Sequence, residues 1–291
     1  MNIVITIPAY NEEKNIVQVI EDIKKVMNQT NYKYKILVVD DGSKDNTARL
    51  AKKAGAVVYS HPVNCGLADT FRSEMKKCLE MKADIIVHTD ADGQYPANYI
   101  PNMIEKIKEG YDLVLGSRFG EGSYKGTIMK RLGNIAFARV LSGILKIKLT
   151  DSTTGFRAFN SKVAGLPLIN DFTYTQEQLI RAGKSKMNII EIPIKTNKTR
   201  ESKLFKSSFD YAIKAWINIF RIYRDFEPLK FFGRIGLLMM LPGIIMGIYM
   251  LLNLLLTGHV GYLNISILAS LFVLTGLHII LFGFLADKDR K

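Results

Sequence analysis

Short apolar runs and amphipathic stretches alternate along residues 1–119 of the chain. The runs Ile3–Ile7 and Lys35–Val39 are typical of strands buried on both faces of a parallel sheet. The segment 15–27 between them carries apolar residues at helical spacing. The full pattern predicts strands at 2–7, 35–39, 56–60, 85–87 and 112–116, and helices at 15–27, at 99–109 and after residues 46 and 64. This alternation predicts a parallel, doubly wound α/β sheet.

Polar side chains follow the predicted strands where each strand ends. Asp90, Asp92 and Gln94 come directly after the apolar run 85–87, and alternate residues of an extended segment point the same way. In open α/β sheets, ligands bind past the carboxyl ends of the strands. Clustered oxygen ligands there suit Mg²⁺ or Mn²⁺ bound to substrate phosphates. An ordinary solvated Asp-Gly turn is the alternative interpretation of the same residues.

Other strand ends carry similar residues, which favours a nucleotide site. Tyr10 and Glu12 follow the first predicted strand, Asp41 follows the second, and Arg118 follows the last. Neither a Gly-x-Gly-x-x-Gly turn after the first strand nor a Walker loop is present in the sequence. A dinucleotide oxidoreductase and a P-loop NTPase are therefore both disfavoured.

The last part of the chain has a different composition. No Asp, Glu, Lys or Arg occurs from Ile235 to Ala286, and this stretch is long enough for two membrane spans. We predict spans at Phe231–Leu256 and Tyr262–Leu285, joined by a short turn. Basic residues flank the outer ends of both spans but are absent from the turn. The positive-inside rule therefore places the part of the chain that precedes the spans, and both termini, in the cytoplasm.

The charge balance indicates an anionic partner. The net charge is +13, and all but four of the 40 basic and two of the 27 acidic residues precede residue 231. No zinc-finger or RNA-binding motif appears, so membrane lipids are favoured over nucleic acid. The amphipathic segment 206–224 fits a helix lying on an anionic membrane, or a helix packed against the domain. Cys65 and Cys78 have neither metal-site nor disulfide spacing and are interpreted as reduced cytosolic thiols.

Four motifs together resemble a known family. Pro8–Glu13, Val39–Ser43, Asp90–Gln94 and Gly116–Phe119 occur in the order seen in family 2 glycosyltransferases. More narrowly, the whole chain resembles polyprenyl-phosphate or dolichyl-phosphate sugar synthases, which transfer mannose, glucose or N-acetylglucosamine. The resemblance implies a doubly wound mixed sheet of the glycosyltransferase A type. It also divides the chain into a catalytic domain at 1–205, an amphipathic juxtamembrane helix at 206–230, a two-helix transmembrane hairpin at 231–287 and a cytoplasmic tail at 288–291.

The resemblance also assigns roles to residues. It implies nucleotide-sugar contacts from Pro8, Tyr10, Glu12, Val39, Asp41, Asp90, Ala91, Asp92, Gln94, Arg200 and Lys203, with Asp90, Asp92 and Gln94 also holding the metal. It implies acceptor-phosphate contacts from Arg118, Lys130, Arg131 and Asn134, where Asn134 replaces the family's usual Ser. Asp92, Arg118, Arg131 and Glu177 would act in catalysis. The family's Arg-x-x-Gly-x-Ser-Lys segment reads Asn197–Lys203 here, so that Arg200 or Lys198 would replace its Arg.

The implied reaction is an inverting transfer of one sugar from a nucleoside diphosphate sugar to polyprenyl phosphate. The motifs favour a UDP-sugar, such as UDP-N-acetylglucosamine or UDP-glucose, over a GDP-sugar. A phosphate monoester has a second pKa near ~6, so the acceptor is ionised at neutral pH and needs no strong general base. Catalysis would rest on positioning and on charge stabilisation by the metal, Arg118 and Arg131. The product would serve glycan assembly such as protein glycosylation.

Three alternatives remain at the level of sequence. The acceptor could be a lipid-linked oligosaccharide or a polymer, although Gln178, Arg181 and Ala182 lack the Trp that ends the motif of processive relatives. The chain could be a membrane-anchored scaffold with an inactive nucleotide site, which the acidic residues at 90 and 92 disfavour. Nucleic-acid binding is the least favoured alternative. Homo-oligomerisation is left open.

Overall fold

The computed structural model describes residues 1–119, 128–169, 174–197, 217, 220–259 and 263–288, of which 128–132 are described by their backbone only. The chain divides into two compact units, Met1–Ala212 and Ile213–Lys291. Each unit is described by itself below.

The first unit contains a seven-stranded sheet. Its strands are β1 Ile3–Ala9, β2 Tyr34–Asp40, β3 Val57–Ser60, β4 Ile85–His88, β5 Leu113–Ser117, β6 Arg157–Asn160 and β7 Ile189–Pro193. The spatial order is β3-β2-β1-β4-β6-β5-β7, and β6 runs antiparallel to both of its neighbours. The other neighbouring pairs are parallel. The sheet is therefore mixed, as the resemblance implied.

Helices cover both faces of this sheet. They are α1 Ile16–Met27, α2 Thr47–Lys53, α3 Leu67–Glu80, α4 Ile100–Lys108, α5 Ile128–Leu145, α6 Ser161–Ala164 and α7 Tyr174–Lys184. The main hydrophobic core lies between the sheet and helices α1 and α4, where Ile20, Ile104, Val87 and Ala158 are buried. Strand β1 is buried along its whole length, which explains its apolar sequence.

Strand direction decides which segments reach the functional edge. The carboxyl ends of β1, β2, β4 and β5 lie at one edge of the sheet because these strands are parallel. Strand β6 runs the other way, so its amino end reaches the same edge. The loop that precedes Arg157 is thereby brought next to the segment that follows His88.

The second unit contains two long apolar helices, α8 Pro228–Thr257 and α9 Leu263–Lys288. Both are long and apolar enough to cross a membrane by length and composition. They overlap the two predicted spans and extend a few residues beyond them on the flanking side. Residues 220–226, at the end of the predicted juxtamembrane helix, are helical. Of the rest of that predicted helix, 206–219 lies outside the described residues except for 217, and 228–230 belongs to α8.

Candidate active site

The acidic turn after β4 forms the centre of the candidate site. The Asp92 carboxylate accepts a hydrogen bond from the Gln94 backbone N–H at 2.9 Å, and Gly93 has a φ of 72°. Burial, together with the nearby Asp92 carboxylate, raises the pKa of Asp90 to about 7, although Arg118 and Arg157 act in the opposite direction. The Asp92 charge thus disfavours the ionised form of Asp90, and a bound cation would relieve that repulsion.

The residues of this turn fit a divalent cation bound to a diphosphate. A Cβ atom on Gly155 would lie 3.2 and 3.3 Å from the two Asp90 carboxylate oxygens, so the glycine leaves space for that carboxylate. A Mg²⁺ ion is usually held by one or two carboxylates, with phosphates and water completing its shell. Asp90 and Asp92 provide such a donor pair, and Gln94 lies on the same turn.

The segment after β7 is fastened to this acidic turn. Asn197 donates from its backbone N–H to the carbonyl of Gln94 at 2.9 Å and from its side-chain amide to the carbonyl of Gly93 at 3.0 Å. The Lys195 backbone N–H donates to the Tyr99 hydroxyl at 3.0 Å. The predicted diphosphate-binding residues Arg200 and Lys203 follow this attachment and lie outside the described residues, as does Lys198.

Arg118, at the end of β5, forms a two-pronged ion pair with Asp151. Its Nε and Nη2 donate to the two Asp151 oxygens at 2.7 and 2.9 Å, and Nη2 also donates to the Thr153 hydroxyl at 2.8 Å. Asp151 is fully buried. The Thr153 hydroxyl lies 3.4 Å from the Asn134 Oδ1 on α5. Thr153 therefore links two predicted acceptor-phosphate residues, Arg118 and Asn134.

Glu191 on strand β7 holds the segment that contains Asp151, the partner of Arg118. Glu191 accepts hydrogen bonds from the backbone N–H groups of Thr150 and Asp151 and from the Thr150 hydroxyl. Burial is the main reason that the pKa of Glu191 is raised. Neither Asp151 nor Glu191 was singled out from the sequence, and the Asp four residues before Gly155 was the available signal for Asp151.

Asp41, after β2, holds the loop that precedes α3. Its carboxylate accepts from the backbone N–H groups of Cys65 and Gly66 at 2.8 and 2.9 Å, and from His61 Nδ1 at 2.8 Å. His61 Nε2 lies 2.8 Å from the Ser73 hydroxyl on α3. Burial alone would raise the pKa of Asp41, but these hydrogen bonds together lower it. Sequence reasoning missed His61 because a single His in a loop carries no local signal.

Asp41, His61 and Cys65 also offer three atoms that could ligate a metal within 4.8 Å of one another. The Asp41 oxygens and both His61 ring nitrogens are already engaged in the hydrogen bonds above. We therefore interpret this group as a hydrogen-bonded support for the loop.

The remaining predicted nucleotide contacts lie along β1, β2 and the acidic turn. Pro8 pairs with Val39 in the sheet register, and both are buried. Tyr10 is exposed. Glu12 is buried and accepts a hydrogen bond from the Asn15 side-chain amide at 2.9 Å. Ala91 is buried between Asp90 and Asp92.

Two predicted catalytic positions have other surroundings. Glu177 on α7 is buried, and its oxygens accept from Arg181 Nε at 2.8 Å and from the Ile169 backbone N–H at 3.0 Å. These donors tie Glu177 to its own helix and to the preceding loop. Lys130 and Arg131 belong to α5, and the structure describes only their backbone.

The mixed sheet, the paired carboxylates past β4 and the arginine past β5 define a fold of the glycosyltransferase A class. Residues 4–165 match the family model for glycosyl transferase family 2. A dolichyl-phosphate hexose transferase of Haloferax volcanii is 34% identical over 200 residues, which cover 66% of this chain and 82% of the relative. A UDP-N-acetylglucosamine–dolichyl-phosphate N-acetylglucosaminyltransferase of Methanococcus voltae is 32% identical over 227 residues, covering 69% and 87%.

Among solved structures, glucosyl-3-phosphoglycerate synthase from Mycobacterium tuberculosis, crystallised with Mn²⁺, UDP and phosphoglyceric acid, has a TM-score of 0.56 at 20% identity. The match covers 75% of this chain and 78% of that chain and shows a shared fold. The chain belongs to glycosyltransferase family 2, and it is a glycosyltransferase.

Proposed function

We propose that this enzyme moves a single sugar from a nucleoside diphosphate sugar to a polyprenyl or dolichyl phosphate, with inversion at the anomeric carbon. The observation that carries the proposal is the placement of Asp90 and Asp92 past β4, with Arg118 past β5, in a chain with two helices of membrane-spanning length. The Haloferax and Methanococcus relatives are named as dolichyl-phosphate transferases, which supports a lipid phosphate acceptor.

The donor would lie along the carboxyl ends of the strands. Pro8, Tyr10, Glu12, Val39 and Asp41 would contact the nucleoside. Asp90, Asp92 and Gln94 would hold Mg²⁺ or Mn²⁺ on the diphosphate, and a bound ion would supply positive charge to stabilise the leaving group. The backbone of Ala91 lies within this turn. Arg200 and Lys203 would meet the diphosphate from the segment that Asn197 fastens to the turn.

The acceptor phosphate would bind beside Arg118 and Asn134, with Lys130 and Arg131 of α5 completing its site. The buried Asp151 fixes the plane of the Arg118 guanidinium. A cation that is already oriented loses little conformational entropy when it binds an anion. An acceptor oxygen that is already ionised attacks directly, so the chain's task is to align the two phosphates. This assignment gives Glu177, which Arg181 holds, an orienting role at most.

The membrane attachment follows from the same proposal. A polyprenyl phosphate is dissolved in the bilayer, and α8 and α9 would keep the enzyme at that surface. The distribution of basic residues favours a catalytic domain at 1–205 in the cytoplasm, a juxtamembrane helix at 206–230, a hairpin at 231–287 and a cytoplasmic tail. A UDP-sugar is the favoured donor because the Methanococcus relative is named for one. The product would feed glycan assembly such as protein glycosylation.

The test uses the purified full chain in detergent with Mn²⁺ or Mg²⁺, a polyprenyl phosphate and labelled UDP- and GDP-sugars. We expect one donor to pass its label into the organic phase in a metal-dependent reaction. Asp92→Ala should abolish the transfer, whereas Asp22→Ala, which removes an exposed carboxylate on α1, should leave it unchanged. Nucleotide binding without transfer to polyprenyl phosphate would indicate a different acceptor. Loss of both would favour an inactive scaffold.

A further inference from the structure

A row of polar side chains crosses the sheet one layer beneath the acidic turn. Thr6 on β1 is the register partner of His88 on β4, and His88 is the register partner of Arg157 on β6. All three are fully buried. The Thr6 hydroxyl donates to Glu74 of α3 at 2.8 Å, so the row faces α3. We call Thr6, His88 and Arg157 the polar row.

Arg157 keeps its charge although the polar row is fully buried. Burial raises the pKa of the nearby Glu74 carboxyl well above its usual range, which disfavours its charged form, and Glu74 Oε2 lies 3.7 Å from His88 Nε2. Burial and the nearby Arg157 lower the pKa of His88 to about 3, so this imidazole is neutral at neutral pH. Burial lowers the pKa of Arg157 to about 10, which still leaves the guanidinium protonated at neutral pH.

The Arg157 guanidinium has neutral hydrogen-bond acceptors. Nη1 donates to the Thr175 carbonyl and to the Gln178 Oε1, both at 3.0 Å, and Nη2 donates to the Thr154 carbonyl. Its Nε has no partner within the described part of the chain. No carboxylate described here lies within ion-pair distance of it. Burying a cation without an adjacent anion costs desolvation free energy, so another interaction must stabilise the charge of Arg157.

The explanation lies at the acidic edge above. A Cβ atom on Gly155 would lie 3.2 Å from an Asp90 carboxylate oxygen, and Gly155 is only two residues from Arg157. Arg157 is also the register partner of His88, which lies two residues before Asp90. Burial lowers the pKa of Arg157, whereas Tyr174 and Tyr95, and after them the charges of Asp151 and Asp90, act to raise it. The cation therefore interacts through space with the carboxylates that line the site, while its hydrogen bonds fix it to α7 and the loop before β6.

We propose that Arg157 is the built-in counter-charge of the metal–diphosphate site, and that it adds attraction for the diphosphate while reducing attraction for a free divalent cation. The inference rests on the function proposed above. A fixed cation raises the affinity for an anion and lowers the affinity for another cation. Loss of the charge should therefore shift the two affinities in opposite directions, whereas a purely structural defect would weaken both.

The experiment measures two affinities of the full chain in detergent: Mn²⁺ alone, and UDP or GDP in the presence of EDTA. For Arg157→Met we expect Mn²⁺ to bind about fivefold more tightly and the metal-free nucleotide about fivefold more weakly. Arg157→Lys should stay near the wild type in both. Gln178→Glu places a carboxylate beside the intact Arg157 and should shift both affinities as Arg157→Met does, which keeps the test available if Arg157→Met does not fold. Gln178→Met, with no charge change, is the matched control.

The outcomes separate the two proposals. Opposite shifts in Arg157→Met or Gln178→Glu, absent from the two charge-conserving variants, support the counter-charge. Shifts in the same direction, or none, overturn it and leave the proposed function standing. A wild-type chain that binds neither Mn²⁺ nor nucleotide overturns the proposed function itself.

Discussion

The Asp90 carboxylate occupies the space that a side chain on Gly155 would need. The antiparallel strand β6 brings this glycine to the edge where the parallel strands end, and a Cβ atom there would lie 3.2 Å from the nearer carboxylate oxygen. That distance is shorter than an ordinary van der Waals contact between these atoms. The Asp90 carboxylate can occupy this position because residue 155, in the loop before β6, has no side chain.

Gly155→Ala should weaken metal binding by displacing Asp90. A metal ligand must be held to within a fraction of an ångström, so we expect the affinity for Mn²⁺ to fall about tenfold. Isothermal titration of the full chain with Mn²⁺ and UDP measures this. Gly165→Ala is the matched control, because a Cβ there would lie 3.5 Å from its nearest neighbour, in ordinary contact. Equal affinities in the two variants would show that Asp90 is not constrained by Gly155.

Asn197→Ala should loosen the acidic turn without unfolding the sheet. The variant loses the hydrogen bond that the Asn197 side-chain amide donates to the Gly93 carbonyl, and one such bond contributes about 1 kcal/mol net. We expect a rise in the KM for the donor sugar of about fivefold, with a smaller change in kcat. Asn188→Ala is a matched control, since its side-chain amide donates to the Gly110 carbonyl at the opposite end of β7. A similar rise in KM in both variants would contradict a specific role for Asn197.

Elements whose own residues carry a clear pattern were predicted correctly from the sequence, and elements without such a pattern were not. Apolar runs revealed β1, β2, β4 and β5, and the acidic turn after β4 followed from its position past a buried strand. Strand β6 was not predicted, because Arg157–Asn160 is short and has no alternating pattern. Its antiparallel insertion between β4 and β5 is what brings Gly155 to Asp90. The long uncharged stretch made the two apolar helices the easiest elements to predict.

Partners distant in sequence could not be predicted at all. Arg118 was expected to face a phosphate, and the structure also gives it a carboxylate 33 residues away. Nothing in either local segment specifies this pairing. Arg181, the partner of Glu177, is only one helical turn away, but the burial of Glu177 depends on how α7 packs. The contact between His61 and Asp41 likewise requires the packing of two loops.

A double-mutant cycle on Arg118 and Asp151 should separate stability from catalysis. Arg118→Ala leaves a fully buried carboxylate without its cation, so we expect the unfolding free energy to fall by about 3 kcal/mol and transfer to be lost. Adding Asp151→Asn removes the uncompensated charge and should restore part of the stability but none of the activity. Thermal unfolding and the organic-phase transfer assay measure the two effects. Recovery of transfer in the double variant would rule out Arg118 as a phosphate-binding residue.

The apolar helices α8 and α9 contact one another along small residues. A Cβ on Gly236 would lie 2.6 Å from the Gly276 carbonyl, and one on Gly243 would lie 2.6 Å from the Ala269 carbonyl. The two helix backbones therefore approach closely, as small residues permit in membranes. Gly276→Val should force them apart and lower the stability of the hairpin by about 2 kcal/mol.

This last prediction is measured by denaturation of the full chain in lipid nanodiscs or mixed micelles. Gly247→Val is the matched control, because a Cβ at Gly247 meets nothing within 4 Å and carries the same helix-propensity change. We expect Gly276→Val to unfold the hairpin at a lower denaturant concentration and Gly247→Val to resemble the wild type. The catalytic unit, followed by its own unfolding signal, should be unaffected by both. Equal loss of hairpin stability in the two variants would mean that side-chain size at the helix contact does not determine its stability.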